Sequence, residues 1–158
     1  MGKIGVIICF VFFSILISNG AWAISSDLKA NYELGETIIA EIKGNILEPI
    51  GKEQIDFRRG HVSVPFEFDF KKIEGRYFIW VSTPEKENNY TLVIGGITTT
   101  VLGKTEKIDF EQNFSVSGNL TDYSIKPGFI STKEDFKIDI QLNKDNEETI
   151  SADFPSER

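Results

Sequence analysis

Apolar and polar residues alternate along much of this chain. The clearest run is residues 62–70, where the even positions are valine or phenylalanine and the odd positions are serine, proline, glutamate or aspartate. A repeat of two is the pattern of a half-buried β-strand. Shorter runs of the same kind occupy residues 28–34, 38–42, 108–116, 136–142 and 150–154. No stretch of comparable length has the 3.6-residue spacing of a helix, so the pattern predicts an all-β chain.

Turn residues lie between these runs. Gly95-Gly96 separates two β-rich segments and predicts a two-residue hairpin loop, because glycine supplies the positive φ that such loops need. Lys72-Ile73-Glu74-Gly75 predicts a second hairpin, between the phenylalanine-rich run and residues 77–81. Pro65 has no N–H to donate, so its strand is either an edge or is broken there. Several short strands at roughly ten-residue spacing predict a β-sandwich.

The composition beyond residue 23 supports this fold class. Ile, Val and Thr together number 33, against 10 Ala and Leu. β-Branched side chains fit a pleated surface, whereas Ala and Leu favour helices.

Residues 1–23 have the features of a secretory signal peptide. A single charge, Lys3, precedes the apolar run 4–17, and Ala21-Trp22-Ala23 provides the small-residue pattern of a cleavage site. The sequence therefore predicts a protein that is secreted or placed on the extracellular face of the cell envelope. The alternative is an uncleaved signal-anchor, which would hold the chain at the membrane.

Removal of residues 1–23 changes the net charge from −7 to −8 and removes Cys9, the only cysteine. The chain is then neither a disulfide-stapled mini-domain nor a protein with a cysteine zinc site or a cysteine nucleophile. So acidic a chain is also a poor partner for nucleic acid.

The predicted strands suggest two modules. Residues 24–103 have enough strands for one small sandwich. Residues 124–142 repeat the order found at residues 30–42, namely a strand, a glycine-containing turn, an acidic residue and an alternating strand. We therefore predict that residues 104–158 begin a second, incomplete β module of a longer surface protein, which could carry a C-terminal anchor. The alternative is that residues 107–155 complete one larger sandwich.

Three segments carry a resemblance to a known family. Residues 32–36 read Tyr-Glu-Leu-Gly-Glu, residues 74–80 read Glu-Gly-Arg-Tyr-Phe-Ile-Trp, and residues 89–94 read Asn-Tyr-Thr-Leu-Val-Ile. Over residues 27–101 the chain resembles the Ig-like repeats of prokaryotic, especially archaeal, secreted and cell-surface proteins. The resemblance implies an Ig-like β-sandwich that presents or spaces other domains, and it implies no catalytic residue. The cysteine pair of antibody domains is absent.

Three N-x-S/T sequons are candidate glycan acceptors, at Asn89, Asn113 and Asn119. Asn89 and Asn113 lie on the polar face of their predicted strands, which would keep them accessible.

Four other residues are candidate binding residues. Arg58, Arg59 and His61 cluster in one segment, where arginine could hold a carboxylate or phosphate; the simpler interpretation is a solvated turn whose arginines meet surface carboxylates. Trp80 is predicted in or beside the core, with an exposed aromatic platform as the alternative. The acidic stretches 85–87 and 145–148 lack calcium-loop spacing and are predicted to be solvated loops.

No motif for catalysis, a metal or a cofactor is present in the sequence. The leading prediction is a non-catalytic spacer or adhesion scaffold whose partners are other surface domains or glycans. The alternatives are a module that binds a glycan or a protein, and an accessory domain of a larger secreted hydrolase.

Overall fold

The computed structural model of the protein describes residues 24–130, 132 and 134–143, and it confirms the all-β prediction. These residues contain no α-helix, and a 3-10 turn, Lys52–Gln54, precedes the fourth strand. The strands are β1 (Ile24–Ser26), β2 (Asn31–Leu34), β3 (Thr37–Gly44), β4 (Ile55–Arg59), β5 (Val62–Ser63), β6 (Glu67–Ile73), β7 (Arg76–Ser82), β8 (Asn88–Val101), β9 (Lys104–Leu120), β10 (Tyr123–Lys126) and β11 (Asp139–Leu142). The predicted signal peptide, residues 1–23, lies outside the described residues.

The first nine strands form two sheets. One sheet has four strands in the order β1-β3-β7-β6, and the other has five in the order β2-β9-β8-β4-β5. Strand β2 runs parallel to β9, and the other pairs within these sheets are antiparallel. Strands β10 and β11 pair with each other as a separate two-stranded ribbon.

The two sheets share one hydrophobic core, an arrangement consistent with a β-sandwich. Alternation decides which side chains enter it. In β3, Ile38 is 1% exposed and faces the core, while its neighbour Ile39 points outward and is 54% exposed. Ile79 of β7 and Leu92 of β8 are fully buried from opposite sheets. Full burial of such a side chain contributes about 1.5–3 kcal/mol relative to exposure, so both sheets depend on this shared interior.

Aromatic rings fill one end of the core. Phe114 of β9 is 2% exposed and lies at the centre of this cluster. Its ring centroid is 6.0 Å from that of Tyr32, 6.5 Å from Phe57, 6.3 Å from Phe66 and 5.8 Å from Tyr90. Most of these pairs are edge-to-face, the arrangement that the ring quadrupole favours. The cluster therefore joins β2, β4, β8 and β9 through one residue.

The hairpin predicted at residues 72–75 is confirmed, and its two-residue loop is Glu74-Gly75, since Lys72 and Ile73 belong to β6. Strands β6 and β7 pair from Glu67 to Ile73, and the two loop residues have φ values of 50° and 82°. Two successive positive φ values match the twist of the flanking strands.

The hairpin predicted at Gly95-Gly96 is wrong. Strand β8 continues through both glycines, which together lie opposite Asp109 of β9 as a β-bulge. Gly96 has a φ of 63°, and its N–H donates to the Asp109 carboxylate at 2.8 Å. The Gln54 side-chain amide donates to the Gly95 carbonyl at 2.7 Å. The glycines thus serve a bulge that is fixed by contacts from distant parts of the chain.

The chain reverses instead at Leu102-Gly103. These residues have φ values of 48° and 80°, and they close the hairpin between β8 and β9. The Leu102 side chain is 99% exposed. A bulky exposed residue at positive φ gives no turn signal in the sequence, which is why the pattern pointed to the glycine pair.

Of the two alternatives predicted for Pro65, an edge strand or a broken strand, the structure shows the broken strand. Residues 62–63 pair with β4 in the five-stranded sheet, and β6 begins at Glu67 in the four-stranded sheet. The alternating run 62–70 therefore crosses from one sheet to the other at the proline.

The predicted boundary between residues 103 and 104 is also wrong. It falls in the β8–β9 hairpin turn, where Val101 pairs with Lys104, and the pairing extends to Asn88 and Val116. Phe114 and Val116 belong to the shared core, so β9 is part of the first sandwich. Residues 144–158 of the predicted second module lie outside the described residues. Within the described part, the apolar side chains of β11 are exposed, with Ile140 at 40% and Leu142 at 46%.

Candidate functional site

Two of the three predicted glycan acceptors lie together on the outer face of the five-stranded sheet. Cross-strand pairing aligns Thr91 with Asn113, and Asn89 and Asn31 each with Ser115. We call these five residues the asparagine face. Asn31, Asn89 and Asn113 are exposed, whereas the intervening Tyr90 and Phe114 point into the core. The predicted accessibility of Asn89 and Asn113 is therefore confirmed.

Hydroxyl groups hold two of the amides in the asparagine face. Thr91 Oγ1 donates to Asn113 Oδ1 at 2.7 Å, and Ser115 Oγ donates to Asn31 Oδ1. In each pair the amide oxygen is the acceptor, so the Asn113 Nδ2 group that would carry a glycan is the other arm of the amide. The Ser115 N–H also donates to the Ala30 carbonyl at 2.8 Å, which anchors β2 alongside β9. The result is a surface of small, uncharged polar groups.

Asn119, the third acceptor, lies near the end of β9 and is exposed. The sequon hydroxyl belongs to Thr121, which is only 8% exposed and donates to the Tyr123 carbonyl at 3.3 Å. Asn119 is accessible, but the rest of its sequon is packed against the segment that follows.

Arg58 lies on the same outer face, paired across β4 and β8 with Thr91. Its Nε is 2.8 Å from Asp56 Oδ2, and its Nη1 is 3.7 Å from Glu111 Oε1. The guanidinium therefore meets surface carboxylates, as the simpler interpretation predicted. These groups are partly exposed, so solvent screening keeps their contribution to stability small.

Arg59 and His61 lie at the reversal between β4 and β5. Both are exposed, and Gly60 between them has a φ of 61°. The structure places this turn beside the asparagine face, and Gly60 lines the same shallow depression as Asn89 and Asn113. An ionic recognition site at this turn stays a prediction.

Trp80 is not an exposed platform. It lies on the outer face of the four-stranded sheet, on the other side of the sandwich from the asparagine face, and it is only 6% exposed. Residues beyond β9 cover it: a Cβ built on Gly128 would lie 2.7 Å from Trp80 Cβ. Trp80 is thus beside the core, as predicted, and the alternative of an exposed platform is wrong.

Sequence reasoning missed Asn31, Asp56 and Glu111. Asp56 and Arg58 are two residues apart in one strand, so their shared face was readable from the sequence. Asn31 and Ser115 are 84 residues apart and meet through a parallel pairing. Glu111 reaches Arg58 only because β8 lies between their strands. No local pattern predicts the last two contacts.

The described residues contain no group of three or more His, Cys, Asp or Glu side chains able to hold a metal ion. Of the two acidic stretches, residues 85–87 lie within this part of the chain and are exposed, whereas residues 145–148 lie outside it. No described helix is long and apolar enough to span a membrane.

Comparisons with known proteins give no relative from which a role could be transferred. No protein-family model, curated protein or solved structure matches the chain.

Proposed function

We propose that the protein is a non-catalytic, Ig-like β-sandwich module of an exported surface or secreted protein, and that it serves as a structural spacer or adhesion scaffold. The observation that carries the proposal is the order of the strands. In immunoglobulin-type sandwiches, strands A, B, E and D form one sheet, and C, F and G form the other. When β1, β3, β4, β6, β7, β8 and β9 are taken in chain order as A to G, their sheet neighbours follow the same arrangement. Strands β2 and β5 are short additions at the edges.

The chemistry of the surface supports a scaffold role. The asparagine face offers amides and hydroxyls and carries neither a nucleophile paired with a base nor a cluster of acids. Arg58 is engaged by the carboxylates of Asp56 and Glu111. The shared core is filled by aliphatic and aromatic side chains. Groups with these surroundings suit a stable carrier rather than a reaction centre.

Export and glycosylation complete the proposal. The signal-like segment 1–23 supports export, and the exposure of Asn89, Asn113 and Asn119 supports glycan attachment in a host that modifies secreted proteins. A glycan on the asparagine face would extend outward from the five-stranded sheet and would leave the other sheet free.

Surface labelling and intact mass test the proposal in its native host. We expect cells to export the protein and an impermeant reagent to label it. Val11→Asp, in the apolar run of residues 4–17, should block export, and Lys3→Arg should not. Recovery of the wild-type protein only from the cell interior would overturn the export proposal.

Mass spectrometry of the exported protein tests the glycan sites. Asn113→Gln should remove one glycan mass, whereas Asn31→Gln is the matched control, because Asn31 lies on the same face outside a sequon. An unmodified mass would remove glycosylation from the proposal. Saturable binding of the purified protein to a glycan array would replace the spacer role with the binding-module alternative.

A further inference from the structure

The segment that leaves the sandwich after β9 lies on the outer face of the four-stranded sheet. We call residues 123–129 the exit segment. It crosses the end of the sheet, where Thr37 of β3 and Glu67 of β6 are both paired with Ser82 of β7. Its strand part, β10, pairs with β11 and with neither large sheet.

Polar contacts fix the exit segment at both edges of this crossing. Thr37 Oγ1 donates to the Ile125 carbonyl at 2.8 Å and accepts from the Ile125 N–H at 2.9 Å. One side chain thus satisfies both main-chain groups of Ile125. On the other edge, Lys126 Nζ is 2.7 Å from Glu67 Oε2. The segment is therefore anchored to β3 and β6 and spans β7 between them.

Close packing fixes the middle of the segment. A Cβ on Gly128 would lie 2.7 Å from Trp80 Cβ and 3.1 Å from Ile39 Cγ1, so a larger residue would push the segment away from the sheet. The Phe129 ring meets the Phe78 ring at a centroid distance of 6.5 Å. Trp80 points away from the shared core, and yet it is buried. The exit segment supplies the missing cover.

We propose that this outer face, formed by Thr37, Ile39, Phe78 and Trp80, is a docking surface for the exit segment. Docking there stiffens the connection between the sandwich and the part of the chain beyond the exit segment. A two-stranded ribbon such as β10–β11 is marginal by itself in water, so its orientation depends on this anchor. The inference rests on the proposed function in one respect: a spacer with a docked joint holds its neighbour in one direction. Trp80 is then one of the residues that hold the exit segment in place.

Tryptophan fluorescence reads the docking directly. Trp22 and Trp80 are the two tryptophans of the chain, so Trp22→Phe leaves Trp80 as the single reporter whether or not residues 1–23 are removed. Trp80 Nε1 is buried and has no hydrogen-bond partner among the described residues. Release of the exit segment would hydrate this group and shift the emission to longer wavelength.

The test compares two glycine substitutions in that background. Gly128→Ala should shift the emission to longer wavelength and increase acrylamide quenching several-fold, while the far-ultraviolet circular dichroism stays unchanged. Gly95→Ala is the matched control, because its Cβ would meet only atoms at 3.7 Å and beyond. If Gly128→Ala does not fold, Thr37→Val removes both bonds to Ile125 and should give the same optical change. Wild-type quenching equal to that of free tryptophan, or no change in either variant, would overturn the proposal.

Distance measurement tests the stiffness. In a Cys9→Ser background the chain has no other cysteine, so Lys107→Cys and Glu134→Cys place spin labels on two exposed positions. Electron–electron double resonance should give one narrow distance distribution in the wild-type background and a broad one with Gly128→Ala. A broad distribution in both rejects the stiff joint. That failure leaves export and surface labelling untouched, so it is distinguishable from failure of the proposed function.

Discussion

Replacement of Phe114 by alanine tests whether β9 belongs to the first sandwich. The ring is 2% exposed and meets four other aromatic rings. Because the ring is so completely buried, we expect Phe114→Ala to lower the free energy of unfolding by about 3–5 kcal/mol. Lost edge-to-face pairs favour the upper half of that range. With a urea m-value of about 2 kcal/mol per molar, the unfolding midpoint should fall by about 2 M.

The assay should follow Trp80 in the Trp22→Phe background. Trp80 is on β7, in the other sheet, so its transition reports on residues far from the substitution. Phe136→Ala is the control, because its ring is 53% exposed and its loss should change stability by less than about 0.5 kcal/mol. Equal Trp80 transitions in the two variants would refute the reasoning and restore the boundary near residue 103.

Three further substitutions probe single features. Leu102→Asn should raise stability by about 0.5–1 kcal/mol in thermal unfolding, because Leu102 has a φ of 48° and a fully exposed side chain; an unchanged melting temperature would argue against strain at this turn. Thr99→Val should lower the free energy of unfolding by about 1–3 kcal/mol, because the buried Thr99 hydroxyl donates to the Asn45 carbonyl at 2.7 Å; a neutral result would mean that water replaces this bond. Burial raises the pKa of Tyr32 above its ordinary value of 10.0, so its neutral form stabilises the fold below pH 10 and this contribution is lost as the pH rises through the folded-state pKa. Urea midpoints should therefore fall more steeply above pH 10 in wild type than in Tyr32→Phe, and parallel curves would contradict the assignment.

The turns show which parts of the fold were readable from the sequence. At Glu74-Gly75, the turn residues and the alternation of the flanking strands both indicate a hairpin, so the local sequence was sufficient to predict it. At Gly95-Gly96 the same chemistry permits either a hairpin or a bulge. The choice depends on Asp109 and Gln54, which lie 13 and 41 residues away. A local pattern holds no information about such contacts.

The asparagine face and the outer face around Trp80 also depend on contacts that strand alternation alone does not predict. Strand parity placed Asn89 and Asn113 on an exposed face, because alternation is a property of each strand alone. It left their neighbour Asn31 unassigned, since the parallel pairing of β2 with β9 joins distant segments. Trp80 lies on the outward face of its strand and is nevertheless buried, because the exit segment at Gly128 returns over it. Tertiary packing overrides parity at this position.

The central structural claim is that strands on both sides of the predicted boundary near residue 103 form one sandwich. Pairing of β2 with β9 tests this claim most directly. Asn31 and Ser115 are register partners whose side chains touch, within the usual reach of a disulfide. In a Cys9→Ser background, Asn31→Cys with Ser115→Cys should form an intramolecular disulfide in the folded monomer, seen as the loss of two hydrogens by mass. Asn31→Cys with Lys107→Cys should stay reduced. A reduced first pair, or equal oxidation of both pairs, would contradict the place of β9 in this sandwich, where the proposed function takes it as the seventh strand.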